Sequence, residues 1–150
     1  MSWVTLTEAK FLAQLTGAET SALKSAALAS GQTEPLTETL ANVVQQVRGY
    51  VAANSSNRLG DGVTIPQELV SAAVAIARYV ALNRLPVKSL LTETRIGEYR
   101  DALTLLRDVA AGRFRIEQPA TISSQVIGGP AVTLVNSTTR KATRTDLRGL

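Results

Sequence analysis

The sequence predicts a mainly α-helical fold, a bundle of about five helices followed by an extended C-terminal arm that can add short β-strands. Three observations lead there. Leu36, Leu40, Val43, Val47 and Tyr50 recur at steps of four and three, the spacing that places apolar side chains on one face of a helix. Between Pro66 and Pro86 the chain is apolar on nearly every side, a pattern that suits a central helix. After Gly112 the helical spacing stops, and Phe114 and Ile116 alternate with Arg113, Arg115 and Glu117 at a period of two.

Taken in order, Thr5-Leu6-Thr7-Glu8 matches a capping box and predicts a short first helix reaching about Leu15. Thr16-Gly17 ends it. Ala18 to Ser30 reads as a second helix closed by Gly31, with a small inner face of Ala22, Leu23, Ala26 and Ala27 that permits close approach. The third begins at Thr33-Glu34-Pro35, proline being tolerated in a first turn, and runs to about Asn54. Its apolar stripe covers too little length for a free-standing coiled coil, so it packs within the bundle. Residues 54–64 form a polar, glycine-containing loop that reads first as a solvated connection, and Asp61-Gly62 could make a hairpin turn in it beside Leu59 and Val63.

Pro66 opens the fourth helix, with Leu69, Ala73, Ile76, Ala77 and Val80 on one face. It must end by Pro86, whose ring removes a donor and disfavours helical geometry in the residue before it. The fifth runs from about Leu91 to Ala111, with Ile96, Tyr99, Leu103, Leu106 and Ala110 inside and Arg95, Glu98, Arg100, Asp101, Arg107 and Asp108 outside; Gly112 is its cap. Arg78, Arg100 and Arg107 read as surface charges. The helical domain is thus 1–112 and the arm 113–150. Within the arm, Ala131 to Val135 follows Gly128-Gly129-Pro130 and is rich in β-branched residues. An isolated hairpin is marginal in water, so the arm is expected to order only against something else, by strand addition or by wrapping a neighbour.

The chain has no cysteine and no histidine. That excludes disulfides, thiolate metal sites, the usual general base and every Ser-His or Cys-His nucleophile. Glu34 and Glu38 could share a helix face, but acids at a helix start are favoured by its dipole without any catalytic role. Asp61-Gly62 lacks the alternating acidic ligands of a calcium loop, and the Gly128-Gly129 pair precedes a strand-like run instead of a phosphate-binding helix. No catalytic, cofactor or metal site is expected, and the chain reads as a non-enzyme. Its first residues lack the pattern of a signal peptide, and no apolar run approaches the roughly 20 residues that span a bilayer, so synthesis in the cytoplasm and no membrane partner are expected.

Charge divides the chain. Residues 1–112 hold ten basic and ten acidic side chains; residues 113–150 hold six and two, so the whole excess of +4 lies in the arm. Arg140, Lys141, Arg144 and Arg148 could neutralise phosphates, dock on an acidic protein surface, or simply be solvated. No aromatic residue lies among them to stack on single-stranded bases. An assembly subunit and a nucleic-acid-binding module acting through the arm both remain open on composition alone.

The segment Ala75-Ile76-Ala77-Arg78-Tyr79-Val80-Ala81-Leu82, then Glu98-Tyr99-Arg100-Asp101-Ala102-Leu103 and Leu106-Arg107-Asp108-Val109-Ala110-Ala111-Gly112, resembles the helical head-tail connector (adaptor, or head-completion) proteins of Mu-like tailed phages. Val47-Arg48-Gly49-Tyr50-Val51 resembles their upstream helix, and the likeness covers roughly residues 36–114. Between Ala52 and Thr64 the chain departs from it, carrying Asn54-Ser55-Ser56-Asn57-Arg58-Leu59 where such proteins have a proline-rich turn. The resemblance implies a viral structural protein of the virion neck, made in the host cytoplasm. It implies a homo-oligomeric, dodecameric ring beneath the portal protein, followed by a stopper or tail-completion protein, with DNA passing through the lumen in weak, non-specific contact. An arm that reaches the portal or a neighbouring subunit would do so through Arg113, Phe114, Arg115, Ile116, Val132, Leu134, Arg140, Lys141, Arg144 and Arg148. The loop residues Asn57, Arg58 and Asp61 would face the tail.

Overall fold

The computed structural model describes residues 3–30, 35–86 and 88–120. They form β1 (Trp3–Thr5), α1 (Glu8–Leu12), α2 (Gly17–Ser30), α3 (Pro35–Ala53), β2 (Thr64–Pro66), α4 (Val70–Arg84) and α5 (Glu93–Ala110), with single 3₁₀ turns at Gln67–Leu69 and Lys88–Leu90. The protein is mainly helical, as its sequence predicts. The expected cap at Gly31, the helix start at Thr33-Glu34, the side chain of Ala27 and the strand-like run at 131–135 lie outside the described residues.

Helix α4 is the hub, in contact with α2, α3 and α5. It buries Ala72, Ala73, Val74, Ile76, Ala77, Ala81 and Leu82, and its many alanines let the neighbouring backbones come close. It stops where proline requires: Leu85, before Pro86, is extended at φ −73°, ψ 145°. Helix α3 lays its predicted stripe on the hub, burying Leu40, Val43 and Val47 with Leu36 and Tyr50 half-buried; Val44 and Val51 widen it. Side chains of this size each contribute roughly 1.5–3 kcal/mol when fully buried, which is what orients α3.

Helix α5 is rotated from the expected phase. Ala102, Leu106 and Val109 are buried, whereas Ile96, Tyr99, Leu103 and Ala110 are half-buried along its flank. The small Ala102 allows close contact with the alanine-rich face of α4, and the larger side chains move to the margin, where Tyr99 stacks on Tyr79 with ring centres 4.1 Å apart. Gly112 ends α5 as predicted. At φ 75° it adopts the left-handed conformation, its N–H donates to Val109 O (3.1 Å), and the N–H of Arg113 donates to Asp108 O (2.8 Å), the paired bonds of a Schellman cap.

The N-terminal expectations need correction. Thr5 does not cap a helix: it lies in β1, which pairs antiparallel with β2 in the register Trp3↔Pro66, Val4↔Ile65, Thr5↔Thr64. The cap of α1 is Thr7, whose hydroxyl accepts from the N–H of Lys10 (3.3 Å), and the helix is short, with Phe11 fully buried. The true capping box opens α2. The N–H of Thr16 donates to Glu19 Oε2 (2.8 Å) and the N–H of Glu19 donates to Thr16 Oγ1 (3.4 Å). Asp61-Gly62 does turn the chain, with Gly62 at φ 58°, but it is no hairpin, because the strand that follows pairs with the N-terminus. Pro66 is accordingly the last residue of β2, and α4 proper begins at Val70.

Candidate partner-binding surface

Two constructions shape the surface on which partner-binding residues were expected. The first gathers the chain's beginning, the 54–63 loop and the exit from α5. Gly60 lies flat on the indole of Trp3, so close that a Cβ there would stand 2.7 Å from Trp3 Cε3. The half-buried Arg48 guanidinium donates to the carbonyls of Thr64 (2.6 Å) and Gly60 (3.1 Å), tying the loop to α3. Burial lowers the pKa of Arg48 from its ordinary value. Four bonds then hold the exit segment. Trp3 Nε1 donates to Glu117 O (3.0 Å), the N–H of Arg58 donates to Gln118 Oε1 (2.9 Å), Gln118 Nε2 donates to Asn57 Oδ1 (3.4 Å), and the N–H of Glu117 donates to Glu68 Oε1 (3.3 Å).

This arrangement decides the fate of the expected arm residues. Ile116 is 7% exposed and joins the core, and Phe114 is half-buried against it. Both apolar side chains pack on the body of the protein. The period-two stretch forms no strand; the alternation instead points Phe114 and Ile116 inward. Arg113 and Arg115 remain exposed, and Arg113 donates from Nε (2.9 Å) and Nη2 (2.6 Å) to Asp108 Oδ1, an exposed pairing of the kind that adds little stability. Val132, Leu134, Arg140, Lys141, Arg144 and Arg148 lie outside the described residues. In the loop, Asn57 is half-buried and donates to Val51 O (3.3 Å), while Arg58 and Asp61 are exposed beside the exposed Val63.

The second construction was not anticipated. Arg78, read as a surface charge, is buried on the core side of α4. Its Nη1 donates to Glu98 Oε2 (2.9 Å) and its Nη2 to the carbonyl of Gln14, while its Nε stands 4.0 Å from Glu19 Oε2. Arg95 Nε donates to Glu19 Oε1 (3.0 Å), and Arg95 Nη1 reaches both Glu98 oxygens (3.0 Å each). Two arginines and two glutamates thereby join α2, α4, α5 and the turn before α2 in a charge-balanced cluster. Burial alone would lower the pKa of Arg95, but hydrogen bonds to Glu98 and Glu19 and their negative charges raise it on balance. A base with a raised folded-state pKa contributes its stability below the unfolded value and loses it only as pH passes the folded one. For Arg95 that window lies above the ordinary guanidinium range, so its contribution is constant across working pH. The legible sign was that Arg78 sits four residues from both Val74 and Leu82, on the face that must be buried.

What these constructions define is a small helical domain with its N-terminus, loop and exit segment clamped together, and with an open groove between α4 and α5. Among the described residues, no group of three or more acidic, histidine or cysteine side chains is placed to hold a metal ion, and no helix is long and apolar enough to cross a membrane. The chain matches the family described as Bacteriophage Mu, Gp36 over residues 4–130, and it belongs to that family of phage proteins. No curated protein and no solved structure matches it.

Proposed function

We propose that the protein is a structural subunit of a phage head-tail connector. It assembles into a ring at the neck of the virion, binds the portal protein through the chain beyond Gln118, and leaves a lumen for DNA. Membership of a Mu phage family supports a role in the virion. The observation that carries the finer reading is the division of labour within the chain. The helical body through Gln118 holds its own exit segment, while Arg140, Lys141, Arg144 and Arg148 follow it in a stretch with little core-forming content. Such a chain is completed by assembly. The absence of histidine and cysteine from the sequence argues in the same direction, away from an enzyme.

Portal binding is tested by ending the chain at Gln118. The shortened protein is expected to keep the melting temperature of the full chain and to lose portal binding. Undiminished binding would remove the arm from the interface. The basic tail also supports a second reading, a nucleic-acid-binding module, which predicts DNA affinity that falls steeply as salt rises. A chain without DNA affinity in low salt eliminates it.

A further inference from the structure

Helix α5 turns one face to solvent, and the charges on that face are sorted by sign. Arg100 and Arg107 are exposed and seven residues apart, close to two full turns, so they form a basic edge along one side of the face. Asp101 is exposed and Asp108 half-buried; each follows its arginine by one position, about 100° round the helix, and together they form an acidic edge on the other side. Between the edges run Gly97, Thr104 and Ala111, again seven apart and small. A Cβ on Gly97 would meet no atom within 4 Å, so the packing of the chain itself gives no reason for a glycine that weakens the helix.

The two edges are not balanced within the helix. Side chains three and four positions apart are neighbours on a helix, and those at that spacing from Arg100 and Arg107 are Ile96, Gly97, Leu103, Thr104, Ala110 and Ala111, none of them acidic. Asp101 has Glu98, of its own sign, as the one charge at that spacing. Among the described residues the side chains of Arg100, Asp101 and Arg107 form no ion pair, and Asp108 is met by Arg113, which is itself 71% exposed. A charged edge without a partner on its own chain is completed by a surface of the opposite sign. The acidic edge of α5 is such a surface for the basic edge when it belongs to another copy.

We infer that two copies of the protein pair through this face, α5 against α5 and parallel, about a two-fold axis between them. Parallel helices that face one another set the basic edge of each against the acidic edge of the other. Arg100 then meets Asp101 of the second copy and Arg107 meets its Asp108, each contact being made twice. An antiparallel pair would set basic edge against basic edge, which like-charge repulsion disfavours. The small strip of Gly97, Thr104 and Ala111 lies at the axis, where it lets the two backbones approach. Glu93 lies on the same line in the first turn and would face its own counterpart, so the helices diverge towards it and the contact centres on Thr104. Arg113 already shares Asp108, which leaves the Arg100–Asp101 contacts as the stronger ones. One helix face buries less than the roughly 800 Å² per partner of a standard interface, so the dimer is weak and exchanges with monomer. A two-fold pair is closed and does not extend into a ring; it is a state of the free protein and does not rest on the connector reading.

Sedimentation of the full chain at concentrations up to about 1 mM tests the pairing. A monomer–dimer equilibrium is expected, shifted to monomer in 1 M salt, where charges are screened beyond ~3 Å. Arg100→Asp makes both edges acidic at that level of the helix and Asp101→Arg makes both basic. Each variant alone is expected to raise the dissociation constant about tenfold or more, because the symmetry makes every substitution act twice. Mixed together, the two variants are complementary again, and a heterodimer of parental strength is expected. A chain that stays monomeric throughout, a dimer indifferent to both variants, or a mixture that associates no better than either variant alone overturns the inference. Assembly into larger rings that neither variant weakens overturns it equally, while leaving the connector reading intact.

Discussion

Glu19→Gln is expected to destabilise the protein by about 3 kcal/mol, at the lower end of the roughly 3–5 kcal/mol that follows loss of one partner from a buried ion pair. Glu19 is 3% exposed and meets Arg95 directly, with Arg78 at 4.0 Å. Glutamine keeps the shape and its one oxygen can still accept from the N–H of Thr16, but its NH2 then faces Arg95 Nε, so the charge and the Arg95 hydrogen bond are lost together. Two arginines then share Glu98, whose side chain is 38% exposed. That exposure lets water screen part of the excess, which is why the lower figure applies. At roughly 3–5 °C per kcal/mol for a domain of this size, the melting temperature falls by roughly 10–15 °C. Combining the change with Arg78→Gln restores neutrality, and the double variant is expected to lose less than the sum of the single losses. A Glu19→Gln protein within about 0.5 kcal/mol of the parent, the range of ordinary surface changes, would show the cluster to be solvated and dispensable.

Ile116→Ala is the second. If the chain beyond Gly112 were free, the substitution would cost nothing. Because Ile116 is 7% exposed and packed on the core, it is expected to cost about 2–3 kcal/mol in denaturant unfolding, within the range of large-to-alanine core substitutions. It should also loosen the segment that Trp3, Arg58 and Glu68 hold, so that trypsin cuts after Arg113 and Arg115, where the parent resists it. Unchanged stability and an unchanged cleavage site would return residues 113–118 to the arm.

Much of this fold is legible along the chain because helices are made of near neighbours. The steps from Leu36 to Tyr50 place α3, the apolar run before Pro86 places α4, and Gly112 marks the end of α5 by the backbone conformation it alone adopts readily. The phase of α5 was less legible, because both Ile96-Tyr99-Leu103 and Ala102-Leu106-Val109 have helical spacing. The choice between them is made by the alanine surface of α4, which no window on α5 contains. The pairing of β1 with β2 joins three-residue strands about sixty residues apart, too short to display a period. Thr5-x-x-Glu8 and Thr16-x-x-Glu19 are equivalent as motifs, and only the strand made by Thr5 decides that the second is the capping box. The ion cluster draws on positions as far apart as Glu19 and Arg95, so its pairing is fixed by tertiary packing. The expected partner residues divide on the same principle. Phe114 and Ile116 belong to the body because a core lies within their reach, and Arg113 and Arg115 stay outside it.

The connector reading is tested most directly by the native mass of the purified protein, alone and mixed with its portal protein. A complex in which multiple copies sit on the portal, with or without a free ring, is the predicted result. A monomer whose mass is unaffected by the portal would contradict it.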